Sequence, residues 1–191
     1  RYDERTSSCI VETPEAVWQA SGLAAMSYEE SIAYAERLFG DVLEGAPLIG
    51  NGQRCAHPSG WQRFASIRCR RWWDGHTVLI GDAAHSAHFS IGSGTRLAME
   101  DAIELARCLG RDGGDLAAAL ARFQAVREPL ATRALETGLR RMEWFEDIAA
   151  HAHLAPDAFA VALLTSSGRL DPEELRRRDP QLSGSISASA R

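Results

Sequence analysis

The sequence predicts a mixed α/β fold in which short strands come first and helices follow. β-Prone runs bounded by turn residues occupy positions 8–12, 61–67 and 77–80. From Gly94 onward, apolar residues recur at helical spacing. With 191 residues, of which 45% are hydrophobic, the chain is long enough for one domain or slightly more with a sizeable core.

The first 43 positions predict one strand and two helices. Residues 8–12 are expected to form the strand, and residues 15–20 a short helix after it. Ser27 and Glu30 form a capping box, because the hydroxyl and the carboxylate can satisfy free amides at a helix start. The helix that follows is expected to end at Gly40.

The middle of the chain is predicted to be loop and strand. Residues 44–60 hold repeated glycines and prolines, which indicates a mostly irregular segment. Residues 61–67 are expected to form a strand. Asp74 and Gly75 mark a turn before a buried apolar strand at 77–80.

The remainder is predicted to be helical. One helix should run from about Gly94 to residue 109, with Gly110 as its stop. Residues 116–135 are Ala-rich and periodic, but Pro129 should kink or split that helix. A separate helical stretch is expected at 139–153.

Two short C-terminal helices are predicted from their start signals. Pro156 and Pro172 each suit a first helical position, and Asp171 can cap the second of these helices. Residues 183–191 are small and polar, and we expect a disordered tail there.

The segment that carries chemistry is a strand, an acid, a glycine-bearing loop and a helix start. In α/β sheets, ligands bind at this end of the strands. Gly81 lets the backbone turn close to a ligand, and Asp82 can accept hydrogen bonds from sugar or polyol hydroxyls. Gly92 and Gly94 leave helix-start amides open to an anion. On spacing alone, an ordinary strand-to-helix turn with a capping aspartate is equally consistent.

Longer motifs in this region resemble a known family. Residues 81–85 read GDAAH, and Gly92, Gly94 and Asp101 follow them. Together they resemble the second flavin-binding motif of the group A flavoprotein monooxygenases, which are built like para-hydroxybenzoate hydroxylase. Residues 123–129, FQAVREP, are similar to the next signature of that family.

The resemblance implies that the chain binds FAD. Asp82 would hold the ribityl chain, and the following loop would lie beside the pyrophosphate and the isoalloxazine ring. The cofactor-binding residues so implied are Gly81, Asp82, Gly92, Ser93, Gly94, Thr95 and Arg96. His88 and Phe89 are candidate substrate contacts.

Residues 88–107 narrow the resemblance to the salicylyl-CoA and 2-aminobenzoyl-CoA monooxygenase branch. The similarity covers most of residues 1–182, and tryptophan-hydroxylating flavoenzymes remain open as neighbours. Phe89 stands where most members of the wider family have proline, and Arg96 where they have asparagine. The aryl-CoA branch resembles this chain at both positions, with a basic residue at the second. Arg96 would add positive charge near the reduced flavin or the pyrophosphate.

The activity implied by the resemblance is aromatic hydroxylation with NAD(P)H and O2. NAD(P)H would reduce FAD, oxygen would add to give a flavin hydroperoxide, and the substrate ring would attack its distal oxygen. We expect an aryl-CoA thioester as substrate, with a tryptophan-like compound or a free aromatic acid as alternatives. Because the cofactor performs the chemistry, no acid–base catalyst is assigned.

The same family also needs a GxGxxG segment for the ADP half of FAD. Neither glycine pair in this chain completes the motif, because another residue occupies the place of the third glycine. That place is Cys55 for the pair Gly50 and Gly52, and Leu97 for the pair Gly92 and Gly94. We therefore expect a C-terminal half that needs a second chain or forms a homo-oligomer, and that alone is poorly soluble, binds FAD weakly and does not oxidise NAD(P)H. A non-catalytic remnant or interaction subunit is the rival interpretation.

The resemblance to the monooxygenase family also implies a division of the chain into domains. Residues 1–71 would belong to a substrate-binding sheet domain, 72–140 to the FAD domain, and 141–182 to a helical C-terminal extension. Half of such a fold leaves apolar faces without cover. The residues expected to be affected are Ile10, Val11, Phe64, Ile67, Val78 and Ile80.

Composition argues against several other classes. A net charge of −5 without a concentrated basic face argues against nucleic-acid binding. The chain has no apolar run long enough to predict a membrane span. Its four cysteines form no CxxC pair, which fits a cytoplasmic protein with reduced thiols. His85 and His88 are spaced HxxH, but no nearby cysteine or acid completes a ligand set, so no metal is predicted.

Overall fold

The structure is a computed structural model that describes residues 3–50, 57–111 and 114–182. It divides into two compact units, residues 1–63 and residues 64–191. The predicted tail at 183–191 and positions 51–56 of the predicted loop lie outside the described residues.

The first unit is helical. It contains α1 (Glu15–Ala20), a 3-10 turn (Leu23–Ala25), α2 (Tyr28–Leu38) and α3 (Gly40–Leu43). The capping box is confirmed: the Ser27 amide donates to the Glu30 carboxylate at 2.7 Å, and the Glu30 amide donates to Ser27 Oγ at 3.2 Å. The expectation that Gly40 ends α2 is wrong, because Phe39 already leaves helical geometry and Gly40 begins α3.

Two predicted strands are absent among the described residues. Residues 8–12 belong to no strand that the structure describes, and Ile10 is 71% exposed. Residues 61–67 are likewise not a strand, although the Ser86 amide donates to the Ile67 carbonyl at 2.9 Å and Arg68 forms an isolated antiparallel bridge with His85. A β-prone run becomes a strand only when a neighbour accepts and donates its backbone hydrogen bonds. Among the described residues, neither run belongs to such a ladder.

The second unit opens with a small antiparallel hairpin. It pairs β1 (Trp73–Asp74) with β2 (Thr77–Val78). Gly75, with φ of 54°, supplies the turn, and the ladder extends by one bond from the Leu79 amide to the Trp72 carbonyl at 2.7 Å. The prediction of a buried strand at 77–80 is therefore wrong in length and burial, because only one neighbour pairs with it and Ile80 is 38% exposed.

Two long helices dominate the second unit. They are α4 (Gly94–Arg111) and α5 (Leu116–Glu146). The start of α4 is as predicted, but the helix continues through Gly110, an exposed position where glycine costs only about 1 kcal/mol.

The predicted split of the second long helix at Pro129 is wrong, because α5 runs unbroken from Leu116 to Glu146, and the alternative kink stays a prediction. Residues on both sides of Pro129 are buried, among them Phe123, Arg127, Ala131 and Leu135. Their packing holds the helix together despite the missing N–H. Residues 139–153 are consequently not a separate helix, because α5 reaches Glu146 and a 3-10 turn follows at Ile148–Ala150.

The two short C-terminal helices are confirmed. α6 (Pro156–Thr165) and α7 (Pro172–Arg178) both carry proline in the first turn. Asp171 caps α7, because its Oδ1 accepts from the Glu174 amide at 2.7 Å. Within the ranges that the structure covers, no helix has the length and apolar character needed to cross a bilayer.

The core of the second unit joins the hairpin to α4 and α5. Its central cluster consists of Trp72, Ala84, Cys108, Ala119, Phe123 and Ala131. A second cluster packs the segment after the hairpin against the same helices, and consists of Ala87, Leu97, Ala134 and Leu135. The core thus fixes residues 84–87 against both helices.

Most of the apolar residues expected to lack cover are exposed. Ile10, Phe64, Ile67 and Ile80 are exposed, whereas Val11 and Val78 are half-buried.

Candidate functional site

A buried carboxylate organises the site. Asp101, on α4, is 0% exposed, and both of its oxygens are occupied. Its Oδ2 accepts from the Gly81 amide at 2.9 Å and lies 2.8 Å from His85 Nε2. Its Oδ1 accepts from Arg127 Nε at 2.8 Å. Asp101 therefore ties the GDAAH segment to α4 and α5.

Arg127 continues the network away from Asp101. Its Nη2 donates to the Glu100 carboxylate at 3.1 Å and to the Leu97 carbonyl at 3.4 Å, and the residue is only 4% exposed. Arg96 then donates to the other oxygen of Glu100 at 2.6 Å. A continuous chain of charged hydrogen bonds joins the buried carboxylate to Arg96 at the start of α4.

The environment keeps Asp101 ionised. Burial by itself raises the pKa of this carboxyl, but hydrogen bonds from His85, Arg127 and Gly81 outweigh that effect and hold the pKa below its usual value. An ionised carboxylate can only accept, so His85 Nε2 must carry the proton in their 2.8 Å contact. The ring of His85 packs 5.0 Å from that of Trp72, which fixes its orientation.

The loop at Gly81 needs glycine for two reasons. Gly81 has φ of 55°, in the left-handed region that disfavours side chains. A Cβ on Gly81 would also lie 2.9 Å from the Cβ of Ala98 on α4. The close approach of loop and helix that lets the Gly81 amide reach Asp101 therefore depends on the missing side chain.

We expect Gly81→Ala to lower the free energy of unfolding by about 2–5 kcal/mol, because left-handed strain of about 1–2 kcal/mol adds to an overlap of about 1–3 kcal/mol. Gly92→Ala is the matched control, since Gly92 has φ of 58° but open space where its Cβ would lie. It should show the strain alone. Urea denaturation of the two variants measures the difference, and equal losses would contradict the packing argument.

Asp82 lies at the surface of this loop. It belongs to a 3-10 turn at Gly81–Ala83, and it is exposed. Its carboxylate makes no hydrogen bond or ion pair with any residue that the structure describes. Asp82 and Asp101 therefore differ in role. Both carboxylate oxygens of Asp101 bind other residues of the chain, whereas those of Asp82 are free acceptors that face solvent.

The second loop leaves the start of α4 open. Gly92 is left-handed, and nothing lies within 4 Å of the positions that a Cβ would take on Gly92 or Gly94. The Leu97 amide donates to the Ser93 carbonyl at 2.9 Å. The amides of Gly94, Thr95 and Arg96 come before that bond and lack an acceptor within the helix. These three backbone donors are therefore open to an acceptor from outside the helix.

Ser93 has a structural partner. It is buried, its hydroxyl donates to the Ile91 carbonyl at 3.1 Å, and Arg169 Nη2 donates to that hydroxyl at 3.1 Å. Arg169, which follows α6, thereby fixes the loop before α4.

The two candidate substrate residues lie in an aromatic cluster. His88 is buried, and its ring centroid is 4.4 Å from that of Phe89 and 5.0 Å from that of Phe64. Its Nδ1 lies 2.8 Å from Ser90 Oγ, and burial lowers its pKa. Phe89 is exposed. Their contact with a substrate stays a prediction.

The structure brings together motifs that are distant in sequence. The GDAAH segment, Asp101 and Arg127 meet in one buried network, and of the three residues that contact the Asp101 carboxylate only Gly81 is among the cofactor-binding residues implied by the sequence. Two features of the sequence could have indicated this network: Asp101, and Arg127 within the FQAVREP signature. Among the described residues, no group of three or more His, Cys, Asp or Glu side chains is arranged to hold a metal.

The comparison with protein families agrees with this geometry. Residues 57–137 match the family described as "FAD binding domain". That range contains both open loops, Asp101 and Arg127. Residues 57–137, which carry the site, therefore resemble that family.

Individual proteins similar to this chain are named as hydroxylases and monooxygenases. The chain is 39% identical over 171 residues to a salicyloyl-CoA 5-hydroxylase of Streptomyces sp, an alignment that covers 84% of this chain and 32% of that protein. It is 44% identical over 107 residues to a 3-hydroxy-4-methyl-anthranilyl-[aryl-carrier protein] 5-monooxygenase of Streptosporangium sibiricum, covering 56% and 28%. It is 34% identical over 172 residues to a protodeoxyviolaceinate monooxygenase of Chromobacterium violaceum, covering 90% and 44%. The chain thus spans less than half the length of each of these relatives.

Proposed function

We propose that this chain forms the ribityl-side and ring-side part of the FAD site in a monooxygenase that hydroxylates an aromatic substrate. The observation that carries the proposal is the position of the two open loops, at 81–83 and 92–96, inside the segment that matches the FAD binding domain family. The relatives are hydroxylases and monooxygenases by name.

The donor and acceptor groups of the chain fit FAD. Asp82 offers two free acceptors to ribityl hydroxyls. The amides of Gly94, Thr95 and Arg96 offer donors to an anion or a polarised carbonyl, such as the N1–C2=O edge of a reduced flavin. The missing side chains at Gly92 and Gly94 leave room for a planar ring system to approach the backbone.

The residues of this chain act by positioning. Asp101, His85 and Arg127 hold the GDAAH loop against α4, so that Asp82 is presented in one place. Arg96 adds positive charge beside the open amides. Bound FAD, once reduced by NAD(P)H, supplies the activation of O2. No side chain of this site is assigned an acid–base role.

An aromatic thioester is the substrate class that the relatives favour. The first relative is named for salicyloyl-CoA and the second for an aryl group on a carrier protein. We therefore place an aryl-CoA or related aryl thioester ahead of a free aromatic acid or a tryptophan-like compound. The same proposal includes a division into a substrate domain at 1–71, an FAD domain at 72–140 and C-terminal helices at 141–182. It also includes a partner chain or a homo-oligomer, and a cytoplasmic location.

The test uses the flavoprotein of which this chain forms part. Incubation with salicyloyl-CoA, NADH or NADPH, and labelled O2 should transfer one oxygen atom to the aromatic ring, with the second oxygen reduced to water. Mass spectrometry detects the labelled product, and FAD content is measured on the same sample. NAD(P)H oxidation that yields only hydrogen peroxide with each thioester, free acid and tryptophan-like compound would contradict hydroxylation. A protein without bound flavin would favour the non-catalytic interpretation.

A further inference from the structure

A groove rich in arginine lies beside the open start of α4. It has a volume of about 370 Å³ and runs between α4, α5 and the segment after α6. Its charged lining is Arg96, Arg133, Arg169 and Glu100. Leu130, which is 44% exposed, supplies apolar surface in the same groove, whereas Leu97 and Ala134, which also line it, are buried. The groove therefore combines an excess of positive charge with some hydrocarbon surface.

The positive charge of the groove is only partly neutralised. Arg96 pairs with Glu100, but Glu100 also accepts from Arg127. Arg169 donates to the Ile91 carbonyl at 3.4 Å and to the Ser93 hydroxyl, both of them uncharged.

Arg133 contributes a further cation. It is exposed, and across the described ranges its guanidinium has no hydrogen-bond or ion-pair partner. A cleft lined by one excess sign of charge attracts a ligand of the opposite sign. Arginine is also the side chain that best matches phosphate, because its planar group offers paired N–H donors.

We propose that this groove binds the pantetheine phosphate of the thioester substrate, an inference that rests on the proposed function. A thioester masks the carboxylate of the aromatic acid, so the negative charge of such a substrate resides in the phosphate of its carrier. The uncharged pantetheine arm suits the exposed apolar side chain of Leu130. Because Arg96 belongs to both the groove and the open loop, the arm leads from the phosphate toward the ring-side part of the cofactor site.

The proposal is tested by binding in the flavoprotein without NAD(P)H, so that no turnover occurs. The probes are salicyloyl-CoA, salicyloyl 4′-phosphopantetheine and salicyloyl pantetheine, and their dissociation constants are measured by calorimetry. Arg133→Gln should weaken binding of both phosphate-bearing probes by about tenfold or more and leave salicyloyl pantetheine unchanged. Arg133→Lys should retain part of the affinity, because it keeps the charge.

Arg111→Gln is the matched control. Arg111 is exposed at the far end of α4, roughly 22 Å from Arg96 along the helix axis. The Arg111→Gln variant should bind all three probes with the same dissociation constants as the unchanged protein.

Three results would overturn the inference. One is equal affinity of Arg133→Gln for every probe. Another is a loss confined to salicyloyl-CoA, which would assign the groove to the nucleotide phosphates of coenzyme A. The third is a fall in FAD content with unchanged thioester binding, which would assign it to the cofactor. Hydroxylation by the unchanged protein is scored separately, so failure of the groove and failure of the proposed function are distinguishable.

Discussion

Replacing Asp101 by alanine should lower the free energy of unfolding by about 3–5 kcal/mol. The substitution leaves Arg127 buried without its closest counter-charge and removes the acceptor of the Gly81 amide. Breaking a buried ion pair costs this much because the remaining charge has lost both water and its partner. Urea denaturation of the flavoprotein, followed by circular dichroism, measures the loss.

The control for Asp101→Ala is an ion pair on the same helix whose arginine is exposed. Arg107 pairs with Glu104 at 2.7 Å, with 67% of the Arg107 side chain exposed. Arg107→Gln should cost no more than about 1 kcal/mol, since water screens such pairs. A loss for Asp101→Ala as small as that of the control would show that the buried network does not hold the loop.

The pH dependence of the same network gives a second readout. The folded pKa of Asp101 lies below its ordinary value of 3.8, so its contribution is fully present above that pH and is lost as the pH falls through the folded pKa. The stability difference between the unchanged protein and Asp101→Asn should therefore shrink below pH 3.8. A difference that grows with acid would have the wrong sign for an ionised Asp101.

Asp82→Ala should abolish retention of FAD during gel filtration. Hydrogen bonds to a charged acceptor contribute about 1.5–3 kcal/mol, so losing the proposed ribityl contacts corresponds to roughly a 10-fold to 100-fold increase in the FAD dissociation constant. Fluorescence titration of the apoprotein with FAD gives that constant. Since Asp82 has no partner in the described part of the chain, the stability of the apoprotein should not change.

Asp74→Ala is the matched control for Asp82→Ala. Asp74 is an exposed carboxylate in the hairpin before the loop, and its ion pair with Arg71, at 3.4 Å, is exposed too. This variant should retain FAD. If Asp82→Ala keeps its full flavin content as well, the assignment of Asp82 to the ribityl chain is wrong.

Local signals in the sequence located the helix starts. The Ser27 and Glu30 capping box, the first-turn prolines at Pro156 and Pro172, and the start of α4 at Gly94 all occur where predicted. Each depends on residues within one helical turn, so the sequence contains the whole cause. The GDAAH motif likewise located the loop that carries Asp82.

Only the tertiary structure decided the features that depend on distant partners. Residues 8–12 and 61–67 have strand composition but belong to no sheet that the structure describes, and α5 continues past Pro129 because buried residues on both sides hold it. Asp101 meets Gly81, His85 and Arg127 across 20, 16 and 26 positions of sequence. Its low pKa exists only because folding supplies those three donors, whose hydrogen bonds outweigh the burial that by itself raises the pKa.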